Sequence, residues 1–335
     1  MPSEMSFQLF TSLRYDPQLL TSDENSWDVL NFVSPSPFYM LRYHRDRMLE
    51  AAQHFDFHEV AKRLENGKAL HNDLIHHVNQ WAEKGGQDEA LKLRLLFDKD
   101  ANLEVDISVV PPVPLETLYP PSFEPPSAAS APHPAKAFKP SPLTGGALSL
   151  GPTDTLSPQG QPSTWLVRLD KAATPSTPFT LLKTTHRDFY DTSRARALPK
   201  NPTTPAFAEV MLFNECNELT EGTMTSLYLF RGGRWITPPV GVPTGEFTSS
   251  TLKTSESGED HCDEGELRKP FAGRWGHSVR SAKVGAGGQR GTTRRWALKK
   301  GMCMEEPVSV DTVQVGENVW VSNGVRGFGY GKVVE

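Results

Sequence analysis

The stretch EVMLFNECNELTEGTMTSLYLFRGGRWITPP, residues 209–239, decides how this chain folds. Its opening residues are large and apolar, and the strand they predict covers 208–214. Residues 215–217 form a polar turn. TEGTMTSLYLF returns as a second extended run, and Gly232-Gly233 is a two-residue hairpin loop leading into RWITPP. Strand follows strand here with no helix between them, so the βαβ alternation of a doubly wound sheet is excluded.

Reading outward, TWLVRLD and FTLLK are strand-like and 187–197 is helical. Downstream, 291–300 is a short helix, and 318–322 is a late strand ending in a glycine-rich tail. Nearer the start, 7–15 (FQLFTSLRY) reads as a strand. Met48, Ala51, Ala52 and Phe55 recur at helical spacing from Arg42 onward. A second helix over 70–84 ends before Gly85-Gly86. LKLRLLFD and LEVDISVV are two strands joined by a turn around 99–101. The class is α+β, with an N-terminal α/β lobe over 1–110 and a C-terminal lobe over 164–335.

Between the lobes, 111–163 reads as a Pro-rich linker or insertion, because 14 of the 28 prolines fall there. A ligand for proline-recognising domains is the alternative. A polar insertion over 244–285 contains His261, Cys262, Asp263 and Glu264, but no second cluster at ligand spacing accompanies them, so no metal is assigned.

The charge balance is 35 basic against 40 acidic residues, net −5, which argues against a duplex-binding protein. No stretch reaches the roughly 18–20 apolar residues of a membrane span. MPSEMSFQLF has no basic cluster and no apolar run of secretory length. Three scattered cysteines fit a reduced compartment, so a cytoplasmic location and a small-molecule substrate are expected.

Five features carry chemistry, each with a plainer reading beside it. Lys183 closes an apolar run and is either a buried amine of depressed pKa or a snorkelling surface lysine. Glu221 is either a buried acid awaiting a cationic partner or an exposed turn residue. His44 and Arg47 share a helix face, with Arg47 turned to an anion or paired with Asp46 or Glu50. GGQRGTTRRW, 287–296, puts Thr292 and Thr293 at a helix start, as an anion cradle or an ordinary cap. SNGVRGFGYG, 322–331, allows close backbone approach to a ligand.

Taken in order, these strings resemble the class IV aminotransferase-like, fold-type IV pyridoxal phosphate (PLP) enzymes. HRDRMLEAAQHFDF is similar to that family's H-x-x-R-L helix, LKTTHRDFYDTSRARA to its lysine segment, and 209–239 to its most recognisable stretch. GTTRR and SNGVRG are similar to its last two signatures. The resemblance covers about 6–109 and 164–333.

It implies a two-lobed D-amino-acid aminotransferase-like fold and a homodimer. It also implies that Lys183 bonds the cofactor and shuttles protons, and that Glu221 pairs with the ring nitrogen. Arg47, the backbone at Thr292 and Thr293, and the Asn323-Gly324 loop would hold the phosphate. The form Lys-x-x-x-Arg, and FTSLRYDP, resemble aminodeoxychorismate lyases of the folate pathway. Such a lyase makes 4-aminobenzoate and pyruvate from 4-amino-4-deoxychorismate, and Arg14, Arg94 and Arg326 are the candidates for the substrate carboxylates. The alternatives are a branched-chain or D-amino-acid aminotransferase, or a binding protein that keeps the fold without catalysis.

Overall fold

Alternation in LKLRLLF sends Leu91, Leu93 and Leu95 inward, each fully buried, and leaves Lys92 and Arg94 on the opposite face. That strand, β2 (Leu91–Phe97), is the middle of a three-stranded antiparallel sheet with β1 (Leu9–Tyr15) and β3 (Leu103–Val109). The computed structural model describes residues 7–123, 164–199, 207–240 and 287–335.

Three helices cover the leucine face: α1 (Leu41–His54), α2 (His58–Glu65) and α3 (Gly67–Glu83). Leu70, Leu74 and Val78, one turn apart on α3, join Met48, Ala51 and Ala52 of α1 in the same core as the β2 leucines. Helix α2 was not anticipated. Its polar side dominates HEVAKRLE, and only Val60 and Leu64 mark its buried face. The other face of the sheet, with Phe10, Ser12, Lys92 and Arg94, turns toward the second lobe.

That lobe is built on eight strands: β4 (Trp165–Leu169), β5 (Ala208–Phe213), β6 (Leu219–Gly222), β7 (Ser226–Arg231), β8 (Arg234–Thr237), β9 (Met304–Glu305), β10 (Asn318–Asn323) and β11 (Gly327–Val334). Their order across the sheet is β6-β5-β4-β11-β10-β7-β8-β9. Gly232 and Gly233 have φ of 55° and 80°, the left-handed pair that a tight hairpin between β7 and β8 requires.

The glycine-rich ending is not a tail. It forms β11, which lies mid-sheet, parallel to β4 and antiparallel to β10. A Cβ on Gly329 would lie 2.1 Å from Trp165 Nε1, so the glycine makes room for the indole.

FTLLK also departs from the strand reading. Pro178 opens a short helix, α5 (Pro178–Leu181), and Thr180 Oγ1 accepts the Thr177 N–H at 2.9 Å. Helix α4 (Leu115–Leu118) and its neighbours correct the start of the linker. Leu118 and Phe123 are buried beside Tyr39, Tyr228 and Trp296, and Phe123 stacks on Trp320 at 5.1 Å. Proline removes donors but does not stop the large side chains between prolines from packing. Residues 124–163 and the 244–285 insertion lie outside the described residues.

The lobes meet through backbone. Phe10 N donates to the Lys183 carbonyl (3.3 Å), Thr185 N to Gln8 O (2.9 Å) and Arg14 N to Gly324 O (3.0 Å). Arg295, on α7 (Thr292–Lys299), pairs with Asp46 of α1 at 2.8 Å. We expect Leu93→Ala to cost about 2–5 kcal/mol in denaturant unfolding, because it empties the centre of the first core.

Candidate active site

A cavity of about 400 Å³ opens between the lobes. Lys183, Glu221, Arg47, Thr292, Asn323, Gly324, Arg94 and Arg326 all line it.

Lys183 follows α5 and is held by the backbone pairing of its segment with β1; Leu9 bridges to Thr184. Its Nζ lies 5.0 Å from the centroid of the Phe10 ring. Burial, then the Arg47 and Arg187 charges, push its pKa well below the ordinary lysine value, while Glu221 pulls the other way. The amine is thereby available in its neutral form.

Glu221 sits on β6 at another part of the wall. It accepts from the hydroxyl of Tyr190, on α6 (Asp188–Ala197), and from Gln289 N at 3.1 Å. Gln289 Nε2 also donates to the Tyr190 oxygen at 2.9 Å. Burial raises the pKa of the acid to about 7, even though these donors and the charges of Lys183 and Arg187 lower it. A cation placed beside it would favour the carboxylate form.

Arg47 projects from α1 and donates to Thr11 Oγ1 at 2.6 Å. It has no carboxylate partner among the described residues, and its Nε is buried without an acceptor. Burial lowers its pKa to about 10. Close by, α7 begins at Gly291 with no side chain capping its first turn, so its N–H groups face the same end of the cavity. A Cβ on Gly324 would lie 2.6 Å from His44 Nε2 and 3.0 Å from Thr292 Oγ1, so glycine is needed to make room for the His44 ring, and its backbone lines the cavity. An unpaired buried guanidinium, a helix start and a bare glycine together make a seat for an anion.

One residue proposed from sequence is placed otherwise. Arg14 is 1 % exposed and does not line the cavity. It pairs with Asp16 at 2.7 Å and donates to the carbonyls of Pro111 (3.0 Å) and Val325 (3.3 Å). The alternation of β1 turns it into the lobe junction, which removes it as a substrate ligand. The Thr293 side chain is fully buried with its hydroxyl bonded to Ser322 Oγ at 2.8 Å, which leaves untouched the backbone role expected of it at the start of α7. Arg94 stands at the rim beside Asp106 (3.6 Å), and Arg326 lies over Trp165 (5.5 Å).

Sequence reasoning missed Tyr190, Gln289, Lys92 and Arg187. Arg187 was visible as the Arg of Lys-x-x-x-Arg, and its guanidinium donates to Thr223 O at 2.9 Å. Nothing local marks Tyr190 or Gln289, which reach Glu221 across 31 and 68 residues. No group of His, Cys, Asp and Glu suited to a metal occurs among the described residues, nor does any helix long and apolar enough to cross a membrane.

Residues 144–244 match the family model described as amino-transferase class IV. Among solved structures, the chain is similar to a protein from Mesorhizobium loti assigned as an amino-acid aminotransferase. The identity is 16%, the coverage 98% of this chain and 100% of that one, and the TM-score 0.51. It is also similar to the 4-amino-4-deoxychorismate lyase from Pseudomonas aeruginosa (12% identity, coverage 100% and 88%, TM-score 0.46). The Escherichia coli branched-chain amino acid aminotransferase is a third (13%, 99% and 78%, 0.48). No curated protein matches the chain. Likeness at this level shows the fold and not the reaction. Residues 144–244 are similar to the class IV aminotransferases, and the fold of the chain is that of a solved amino-acid aminotransferase-like structure.

Two outcomes follow. Arg14→Met should leave Asp16 buried without its cation and cost about 3–5 kcal/mol of stability, with no selective change in affinity for any anion. Glu221 binds its proton more tightly folded than unfolded, so its contribution to stability is lost as pH rises through about 7. In cofactor-free protein, the Tm of Glu221→Gln relative to wild type should therefore rise between about pH 5 and 8. The difference isolates the acid from Lys183, whose lowered pKa acts with the opposite sign.

Proposed function

We propose that this class IV aminotransferase-like chain is a PLP-dependent lyase acting on 4-amino-4-deoxychorismate, releasing pyruvate and 4-aminobenzoate. The observation that supports it most is the lining of the cavity. Lys92, Arg94, Arg187 and Arg326 stand there in addition to Arg47 and Lys183, against Glu221 as the one acid of the lining among the described residues. Four cations beyond those the cofactor would engage suit a substrate with two carboxylates. An aminotransferase for branched-chain amino acids would instead need an apolar side-chain pocket.

The residues present fit the cofactor. Arg47, with its unpaired Nε, the first turn of α7 and the Gly324 corner would take the phosphate. Glu221, steadied by Tyr190 and Gln289, would take a protonated ring nitrogen. Lys183 would take the aldehyde carbon. When bound, PLP supplies an electron sink for charge that develops beside the substrate amine.

The protein's own part is acid–base work and positioning. Lys183 Nζ is held neutral and so is able to accept the proton from the amine-bearing ring carbon. The bond from the ring to the enolpyruvyl oxygen breaks as the ring becomes aromatic. The same amine returns a proton to the methylene of the departing group, so pyruvate leaves with no net gain or loss of protons. Lys92, Arg94, Arg187 and Arg326 orient the carboxylates, and Phe10 provides an apolar floor beside Lys183. By analogy with the family the protein works as a homodimer in the cytoplasm.

Added PLP should give a visible absorption band, and borohydride should fix its mass on Lys183. Lys183→Ala should abolish both. Glu221→Gln should lower turnover about a hundredfold. In paired assays, aminodeoxychorismate should yield 4-aminobenzoate and pyruvate. Glutamate formed from an amino acid plus 2-oxoglutarate, with no aminobenzoate in the other tube, would replace the lyase by an aminotransferase.

A further inference from the structure

Buried arginines are ordinarily held by carboxylates, which fix the guanidinium and cancel its charge. Arg47 is held differently. Its terminal N–H donates to Thr11 Oγ1 (2.6 Å), and the same oxygen lies 2.7 Å from Nδ1 of His44. Thr11 and His44 are both fully buried. A hydroxyl carries one proton. The hydroxyl oxygen accepts from Arg47, and the acceptor placed for its own proton among the described residues is His44 Nδ1, which assigns that nitrogen as the unprotonated one of the ring. The imidazole is neutral, with its hydrogen on Nε2. That nitrogen has no partner among the described residues and packs against the bare Cα side of Gly324. Burial and the neighbouring charges of Arg47 and Lys183 act in the same sense, keeping the ring uncharged.

We infer that His44 is a positioning residue for the anion seat. Through Thr11 it fixes the Arg47 fork while leaving the positive charge uncancelled for a phosphate. A protonated imidazole would donate to Thr11 from Nδ1, leave the hydroxyl proton without that acceptor and set a second positive charge beside Arg47. A carboxylate in its place would neutralise the arginine. A neutral hydroxyl–imidazole chain does neither. The inference rests on the PLP reading for the identity of the anion, but the state of His44 is a property of the protein alone.

The test has two parts. In cofactor-free protein labelled with nitrogen-15 at histidine, His44 at neutral pH should show the neutral form protonated on Nε2. A charged ring, or a proton on Nδ1, overturns the inference without any variant. Second, dissociation constants are compared for pyridoxal 5′-phosphate and for pyridoxal, which lacks the phosphate. Thr11→Val and His44→Leu should weaken the phosphorylated form about tenfold and leave pyridoxal unchanged. Thr11→Ser, and His44→Asn with an oxygen in place of Nδ1, should restore most of the loss. Equal weakening of both forms, or no weakening, overturns the positioning role. Should the wild type bind neither form, the cofactor reading itself fails, and the role toward phosphate fails with it, whatever the histidine spectrum shows.

Discussion

An amine buried beside two guanidinium groups can hardly keep its proton. Lys183 shares its cavity with Arg47 and Arg187, and burial alone already disfavours its charge. The downward shift of the Lys183 amine therefore comes from placement, from burial first and the neighbouring guanidinium charges second. The same crowding leaves Arg47 without a counter-charge, so the cavity presents a nucleophile at one point and a demand for an anion at another. Glu221 offsets part of this positive field and, raised toward about 7 by burial, would itself favour a cation beside it. These unmet requirements are complementary to a molecule with an aldehyde, a phosphate and a basic ring nitrogen.

The geometry depends on two lobes that share backbone hydrogen bonds. Lys183 belongs to the second lobe, yet its carbonyl is taken by Phe10 of the first, and the Gly324 loop is fixed the same way by Arg14. Arg14, a substrate-ligand candidate in the sequence, is paired with Asp16 as part of this joint. One face of the first sheet is spent on the helices and the other is left to furnish Ser12, Lys92 and Arg94 to the cavity, a division that follows from strand periodicity.

Much of this was legible beforehand because strands and amphipathic helices write their period into the chain. The hairpin at Gly232-Gly233 and the leucine rows of α3 and β2 are local patterns. So were Lys183, Glu221 and Arg47, whose strings resemble a family. What was hidden was non-local. Tyr190 and Gln289 meet only because α6 and the segment before α7 converge on β6. FTLLK has a strand's composition, but Pro178 and a threonine bond turn it into a helical turn. The ending rich in glycine reads as loop because its packing partner, Trp165, lies far upstream.

That last strand has a consequence for biosynthesis. β11 lies between β4 and β10, so until it arrives the second lobe consists of two half-sheets with raw edges facing each other. Every one of its sheet neighbours leaves the ribosome earlier. The lobe can close only once β11 is seated between them, and the Asn323-Gly324 loop is assembled with it. Nascent chains would leave the edge of β4 open to other copies until β11 follows, whereas β10 precedes β11 by only a short turn, so stray pairing of β4 during translation is a hazard this fold has to survive.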